Sequence, residues 1–463
     1  MVFSFLKRLL GNEETIPPPK PEAPRSVPVP PAPMPAPVSQ LQPAPGQAGH
    51  ISGAPVETML QREIVVDREL HVVGYNFRLR DSVLKRKSQM AHSVWKLYDE
   101  VLLRNFLAEE ATKGFGQKRI FLDISVWSLD SPMLQKLPKG RFVLMLRYDA
   151  EFFRDLVVHL DTLRRLKEEG FQLGFDQFPL NAELLPMLSL ADYQKISVTD
   201  KDVTELSKAV AAIGNAAPGS ELVVGDVHFF EELQVCRQLL VHYLQGSYLR
   251  HKDLSEADAV DASYLRLMEV LNLVRSEAEP AVIANAMKYD PMLSFKLLRY
   301  VNSAGAGLST KIETLERALI VLGHKQLYRW LTLLVFSHER QEGDQSILLE
   351  TALIRARMME TLGQSRFKRE DLDQLFTTGM FSMLEALLRQ PMIRIIDKLN
   401  LPDDINQALL SQRGRFGPLL KLVLGCENGE LPDDPQLFLA AGVSKNEANK
   451  AQIEAMLWVE EVV

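Results

Sequence analysis

The sequence predicts a (β/α)8 barrel of TIM type, then an all-helical second half, with a proline-rich tether ahead of both. Three observations carry this reading. From Gln61 to Leu249, short β-branched runs alternate with amphipathic stretches over roughly 190 residues, the rhythm and size of a barrel of βα units. After Leu254 the strand-like runs stop, and apolar residues recur at helical spacing. Ahead of the first strand, from Ile16 to Pro55, about half of the chain's 26 prolines are mixed with Ala, Val and Gln. Such a segment cannot bury a core and is expected to be extended and disordered.

Composition narrows the function classes. A chain of 463 residues suggests two to four domains, and 46% hydrophobic with 24% charged residues is ordinary for a globular protein. The net charge of −7 argues against a nucleic-acid binder that works by phosphate neutralisation, and Lys85-Arg86-Lys87 reads as a solvated face. Two cysteines, Cys236 and Cys426, make neither a disulfide framework nor a metal-ligand set, and they fit a reducing cytoplasm. No run approaches the ~18 apolar residues of a membrane span. Cytoplasmic localisation is therefore expected, with peripheral contact through the N-terminus as the one route to a membrane.

In chain order, residues 1–11 (MVFSFLKRLLG) form a short amphipathic word, with Phe3, Leu6 and Leu10 opposed to Lys7 and Arg8. The basic pair interrupts the apolar residues, so this is no secretory signal; the word suits a membrane surface or a partner's groove. Residues 12–55 are the linker, 56–252 the barrel, 253–452 the helical domain and 453–463 a tail. Within the barrel, strands are expected at 63–67, 70–80, 119–125, 142–147, 172–176, 194–198, 221–225 and 246–249. Helices are expected between them, at 95–110, 152–169, 184–190, 205–213 and 230–240.

The strand words Val73–Arg80 (VGYNFRLR), Phe121–Ser125 (FLDIS) and Gly170–Phe178 (GFQLGFDQF) resemble those of the EAL family, barrel phosphodiesterases that hydrolyse cyclic di-GMP. Val73–Arg80 (VGYNFRLR) stands where the family writes "vGYEALLR", and Phe121–Ser125 (FLDIS) stands for "fvNlS". Gly170–Phe178 (GFQLGFDQF) stands for "GyrlalDDF", Lys195-Ile196-Ser197 for "KID", and Gln245-Gly246 for the closing "QG". The resemblance implies a site at the C-terminal mouth of the barrel, where carboxylates on strand ends hold two divalent cations. Here the family's acidic positions carry Asn76, Met145, Gln177, Gly225 and His228, and the Asp of "KID" is Ser197. Amide and thioether are poor ligands for hard cations, so no metal is expected. The possible ligand-binding remnant is Arg80, Asp123, Asp176, Lys195 and Gln245.

The second half reads as successive amphipathic helices with short connections. Asp290 and Pro291 read as the N-cap and first residue of a helix whose apolar face is Leu293, Leu297, Leu298 and Val301, ending at Asn302-Ser303. "DPxLSxKLLRxVNSA", followed by Ile312–Gly323 (IETLERALIVLG), resembles the HDOD family over roughly residues 255–425. HDOD domains are related to the HD metallohydrolases, whose adjacent His-Asp pair would fall at Ser382-Met383 in this sequence. By that resemblance no HD-type metal site is expected. Trp330 and Leu331–Phe336 read as a buried central helix, with a contact between the two halves as the alternative.

Together these readings predict a non-catalytic signalling protein that acts through contacts with other signalling proteins, in a cyclic di-GMP-related pathway of motility, pili or biofilm type. No cofactor and no enzymatic activity are expected. The alternatives are a metal-independent cyclic di-GMP receptor and a residual phosphodiesterase.

Overall fold

The computed structural model describes residues 59–79, 92–107, 117–147, 156–239, 241–246, 262–302, 312–336, 344–428 and 434–462. The N-terminal word, the proline-rich linker, Lys85–Lys87, Arg80 and Ser303 lie outside the described residues.

Eight strands close into a barrel in sequence order. They are β1 Leu60–Asp67, β2 Val72–Leu79, β3 Arg119–Ile124, β4 Phe142–Arg147, β5 Gln172–Asp176, β6 Tyr193–Ser197, β7 Glu221–Val227 and β8 Tyr243–Gly246. Outside them lie α1 His92–Phe106, α2 Leu156–Glu168, α3 Leu185–Leu188, α4 Val203–Ala216 and α5 Phe230–Gln238. One strand departs from the parallel order: β1 runs antiparallel to both β2 and β8. The cause is the four-residue connection Arg68–His71, closed by Leu70 donating its amide to the Asp67 carbonyl at 3.1 Å. Four residues make a hairpin and cannot make a parallel crossover.

Strand register sorts each side chain to one of two faces. Val65, Phe121, Val143, Met145, Tyr193 and Val223 form the apolar fill inside the barrel. Residues of opposite parity face outward, among them Phe77, which meets Phe106 of α1 edge-on at 4.8 Å.

The second half comprises α6 Ala262–Arg275, α7 Pro280–Lys288, α8 Pro291–Val301, α9 Leu315–Phe336, α10 Asp344–Gly363 and α11 Arg369–Phe381. It continues with α12 Leu384–Leu388, α13 Met392–Ile396, α14 Asp403–Ser411, α15 Gly417–Asn428, α16 Pro435–Ala441 and α17 Lys445–Val462. Asp290 caps α8, its carboxylate accepting from the Leu293 amide at 2.9 Å. Gly323 interrupts α9 with a kink, its φ of 72° belonging to the left-handed region. Trp330 is fully buried and stacks on Tyr300 at 5.8 Å. Residues 453–462, expected as a tail, are instead the last turns of α17, anchored by buried Met456 and Val459. One continuous apolar core joins the outer face of the barrel to the helices of the second half.

Candidate functional site at the barrel mouth

The C-terminal ends of the parallel strands converge on a polar cluster built by the barrel's inward parity. Asn76 faces Glu63 across the β1–β2 ladder, and Val65 faces Gln245 across β1–β8. Asp123 pairs with Met145, Arg147 with Asp176, and Asp176 with Lys195 around the wall. Asn76, Asp176, Lys195 and Gln245 are each at most 3% exposed and form a floor. Asp123 and Asp226 are half-buried and Arg147 is exposed, so these three make a rim.

The polar contacts link floor and rim. Glu63 accepts from Arg78 at 2.6 Å and from Gln245 through a short contact. Asp176 accepts from Nε of Arg147 at 3.4 Å, with Nζ of Lys195 at 3.9 Å. Burial opposes the charge of Lys195, but the carboxylates of Asp176, Asp123 and Glu63 more than offset it and hold the ammonium above its ordinary pKa. Arg147 is likewise held charged against burial by Asp176 and Asp123. Burial would raise Asp226; the Ser197 hydroxyl, Lys195 and Arg78 outweigh it and keep that carboxyl below its usual range.

Two details mark the cluster as more than wall structure. Oδ1 of Asp123 and Oδ1 of Asp176 are buried without a hydrogen-bond partner among the described residues. A buried carboxylate oxygen left unsatisfied is costly, and such atoms are ready acceptors for a ligand or water. Gln177 and Asp226, at the ends of β5 and β7, have φ of 57° and 59°, a left-handed conformation that non-glycine residues adopt at a cost.

Among the described residues no three His, Cys, Asp or Glu side chains converge at metal-ligand spacing. Glu63 and Asp176 are engaged by arginine and lysine, and the Met145 thioether lies in the apolar fill. A substituent on Gly174 would stand 2.1 Å from its sulfur, so that side chain has filled the space across β5.

The structure thus brings Asp123, Asp176, Lys195 and Gln245 together, with Asn76, Met145 and Gly225 on the intervening strands β2, β4 and β7 and Gln177 directly after β5. His228 lies just past β7, exposed, its amide donating to Glu232 at 2.7 Å. Four further residues belong to the cluster without being marked by the family words: Glu63, Arg78, Arg147 and Asp226. Glu63 shares strand parity with core residue Val65, so a carboxylate on a buried face was the available signal.

The second half holds the remaining expected positions. Ser382 caps the end of α11, and its hydroxyl accepts from Nη1 of Arg355 at 2.9 Å. Met383 is buried in the core. The Asn302 side chain donates to the Ile312 carbonyl at 2.6 Å and accepts from the Ile312 amide at 2.8 Å, fastening the end of α8 to the chain leading into α9. Pro291 is the first residue of α8, and its place is structural.

A buried polar seam joins barrel and helices. Arg62 of β1, 1% exposed, bonds Glu427 of α15 at 3.2 Å, and Glu427 also binds Arg355 of α10 at 2.6 Å. Glu350 of α10 accepts from Lys118 at 2.6 Å and from the Tyr75 hydroxyl through a short contact. Burial first, then the Glu460 carboxylate, pushes the Glu350 carboxyl well above its usual range. Asn449 of α17 accepts from the Leu60 amide at 2.9 Å.

A family model described as the HDOD domain matches residues 259–391, and the chain carries that domain there. A relative from Vibrio cholerae, named "Cyclic di-GMP phosphodiesterase CdgJ", is 23% identical over 88% of this chain and 93% of its own length. The uncharacterized Bacillus subtilis protein YuxH is 24% identical over 87% of this chain and 98% of its own. Among solved structures, a phosphodiesterase–c-di-GMP complex, PaMucR, is similar with a TM-score of 0.35 and 17% identity, covering 41% of this chain and 94% of that one. The Pseudomonas aeruginosa FimX EAL domain bound to c-di-GMP has a TM-score of 0.33 and 19% identity, covering 42% and 90%. Among the described residues no helix is long and apolar enough to cross a membrane.

The expectation that this chain is not an enzyme is corrected by these comparisons, because a relative aligned along 88% of it is named as one. Substituted positions within the family words are therefore no ground for setting catalysis aside. The mouth also holds carboxylates, at Glu63 and Asp226, that comparison by words left out of account.

Proposed function

We propose that this chain is a cyclic di-GMP-related signalling protein in which the barrel mouth takes the nucleotide and the helical half carries the response to protein partners. The observation that supports this reading most directly is the mouth itself. Arg147 at the rim and Lys195 on the floor offer cations to a phosphodiester, while the two unsatisfied aspartate oxygens offer acceptors for guanine N–H groups. Strand β1 would carry the response. Glu63 faces the mouth and its neighbour Arg62 faces the buried seam with α15 and α10, so a shift in one face of β1 moves the other.

Hydrolysis is a second reading, favoured by the name of the Vibrio cholerae relative. One experiment addresses both: calorimetric titration of the protein with cyclic di-GMP, with and without magnesium, with the nucleotide analysed afterwards. Saturable heat that is lost in Lys195→Met supports binding at the mouth, and magnesium-dependent product supports hydrolysis there. Absence of heat and of product under both conditions removes this reading.

A further inference from the structure

The outer face of α8 and the turn before it carry a cluster of exposed large apolar side chains. Tyr289, Met292 and Phe295 are 71%, 53% and 58% exposed, three large apolar side chains within seven residues. Met292 and Phe295 are three apart on one helix and share a face. Cations frame them: Lys288 ends α7, Lys296 follows Phe295, and Arg266 of α6 donates to the Tyr289 carbonyl at 2.9 Å. Between residues 280 and 302 the single carboxylate is Asp290, which is turned inward as the helix cap and only 8% exposed. In a chain of net charge −7, this is an apolar strip with a basic border.

We propose that this face docks an acidic amphipathic helix of a partner protein, its apolar side on Tyr289, Met292 and Phe295 and its carboxylates on Lys288, Lys296 and Arg266. The reasons are shape and charge. An exposed strip of large apolar residues marks an interaction site, and aromatic and methionine side chains are favoured anchors there. The basic border selects against a second copy of this chain, because a symmetric contact would set Lys288 and Lys296 against their own counterparts. The inference concerns the helical half and does not depend on what the barrel mouth binds.

The test uses the full chain and defined probes. A fluorescent 18-residue helical peptide with leucine at i, i+3, i+4 and i+7 spacing and glutamate elsewhere is titrated, beside the same peptide with lysine for glutamate. The glutamate peptide should bind saturably, with affinity falling as salt rises, and the lysine peptide should not. Phe295→Ser with Met292→Ser should weaken binding at least about tenfold. Lys288→Glu with Lys296→Glu should exchange the preference toward the lysine peptide. The native side chains are exposed, so both variants should keep the native melting temperature, which is checked in parallel. Equal binding of both peptides, or unchanged binding in the serine variant, overturns the proposal. So does binding confined to vesicles of phosphatidylcholine and phosphatidylserine, which would make the face a lipid surface.

Discussion

Single atoms decide the behaviour of the mouth. A Cβ on Gly225 would stand 2.6 Å from Cε of Lys195, so the glycine leaves the channel through which the lysine reaches Asp176. Gly225→Ala should displace the ammonium and, on the function proposed above, weaken cyclic di-GMP binding at least about tenfold, one lost charge-assisted contact, as read by calorimetry. The melting temperature should fall only by a few degrees, about 1 kcal/mol of overpacking. A second residue gives a pH signature. The Ser444 amide and hydroxyl and the Arg366 guanidinium hold the Glu447 carboxyl down to about 2. A depressed carboxyl contributes stability above its unfolded value, near 4.5, and loses it as pH falls toward 2. Glu447→Gln should therefore melt below the native protein at pH 7, with the gap closing between about pH 4.5 and 2. A gap independent of pH would assign the effect to packing.

At the scale of elements, the seam between β1, α10 and α15 is where the two halves become one unit. Its partners are unequal. Glu427 neutralises both Arg62 and Arg355, whereas removal of Arg62 leaves Glu427 still paired to Arg355. Glu427→Gln strips two buried arginines of their carboxylate and should cost about 3–5 kcal/mol. Arg62→Met should cost clearly less, because Glu427 keeps Arg355 and no buried charge is left unpaired. Urea unfolding of the two variants checks the order, and a reversed order would mean that the seam is organised around Arg62. The helix pair α10–α11 shows a different device. A Cβ on Gly379 would meet the backbone of Ala356 at 2.5 Å, so these helices approach more closely than any side chain permits.

For the whole molecule, the barrel's outer surface is part of the common core and its first strand depends on the helical half. Leu60 gives its amide to Asn449, and Arg62 and Tyr75 are covered in the assembled chain. A fragment of residues 56–252 exposes these groups and should unfold at lower urea than the full chain, which should show one cooperative transition for both halves. Two separated transitions in the full chain, the first matching the fragment, would show the halves to be independent. Coupling of this kind is what a response travelling from mouth to helices requires.

The sequence by itself determined the order of strands and helices, the change from barrel to helical half and the cap at Asp290. These follow from local periodicity and from the conformational preferences of a few residues. Four members of the mouth, Asp123, Asp176, Lys195 and Gln245, were legible because family words mark strand ends. Only the tertiary structure decided that β8 closes onto β1, that Glu63, Arg78, Arg147 and Asp226 complete the cluster, and that Arg62 faces the helices. Those outcomes depend on the register between strands distant in sequence. A one-residue slip would send each side chain to the opposite face, and no local pattern reports which partner lies across the ladder.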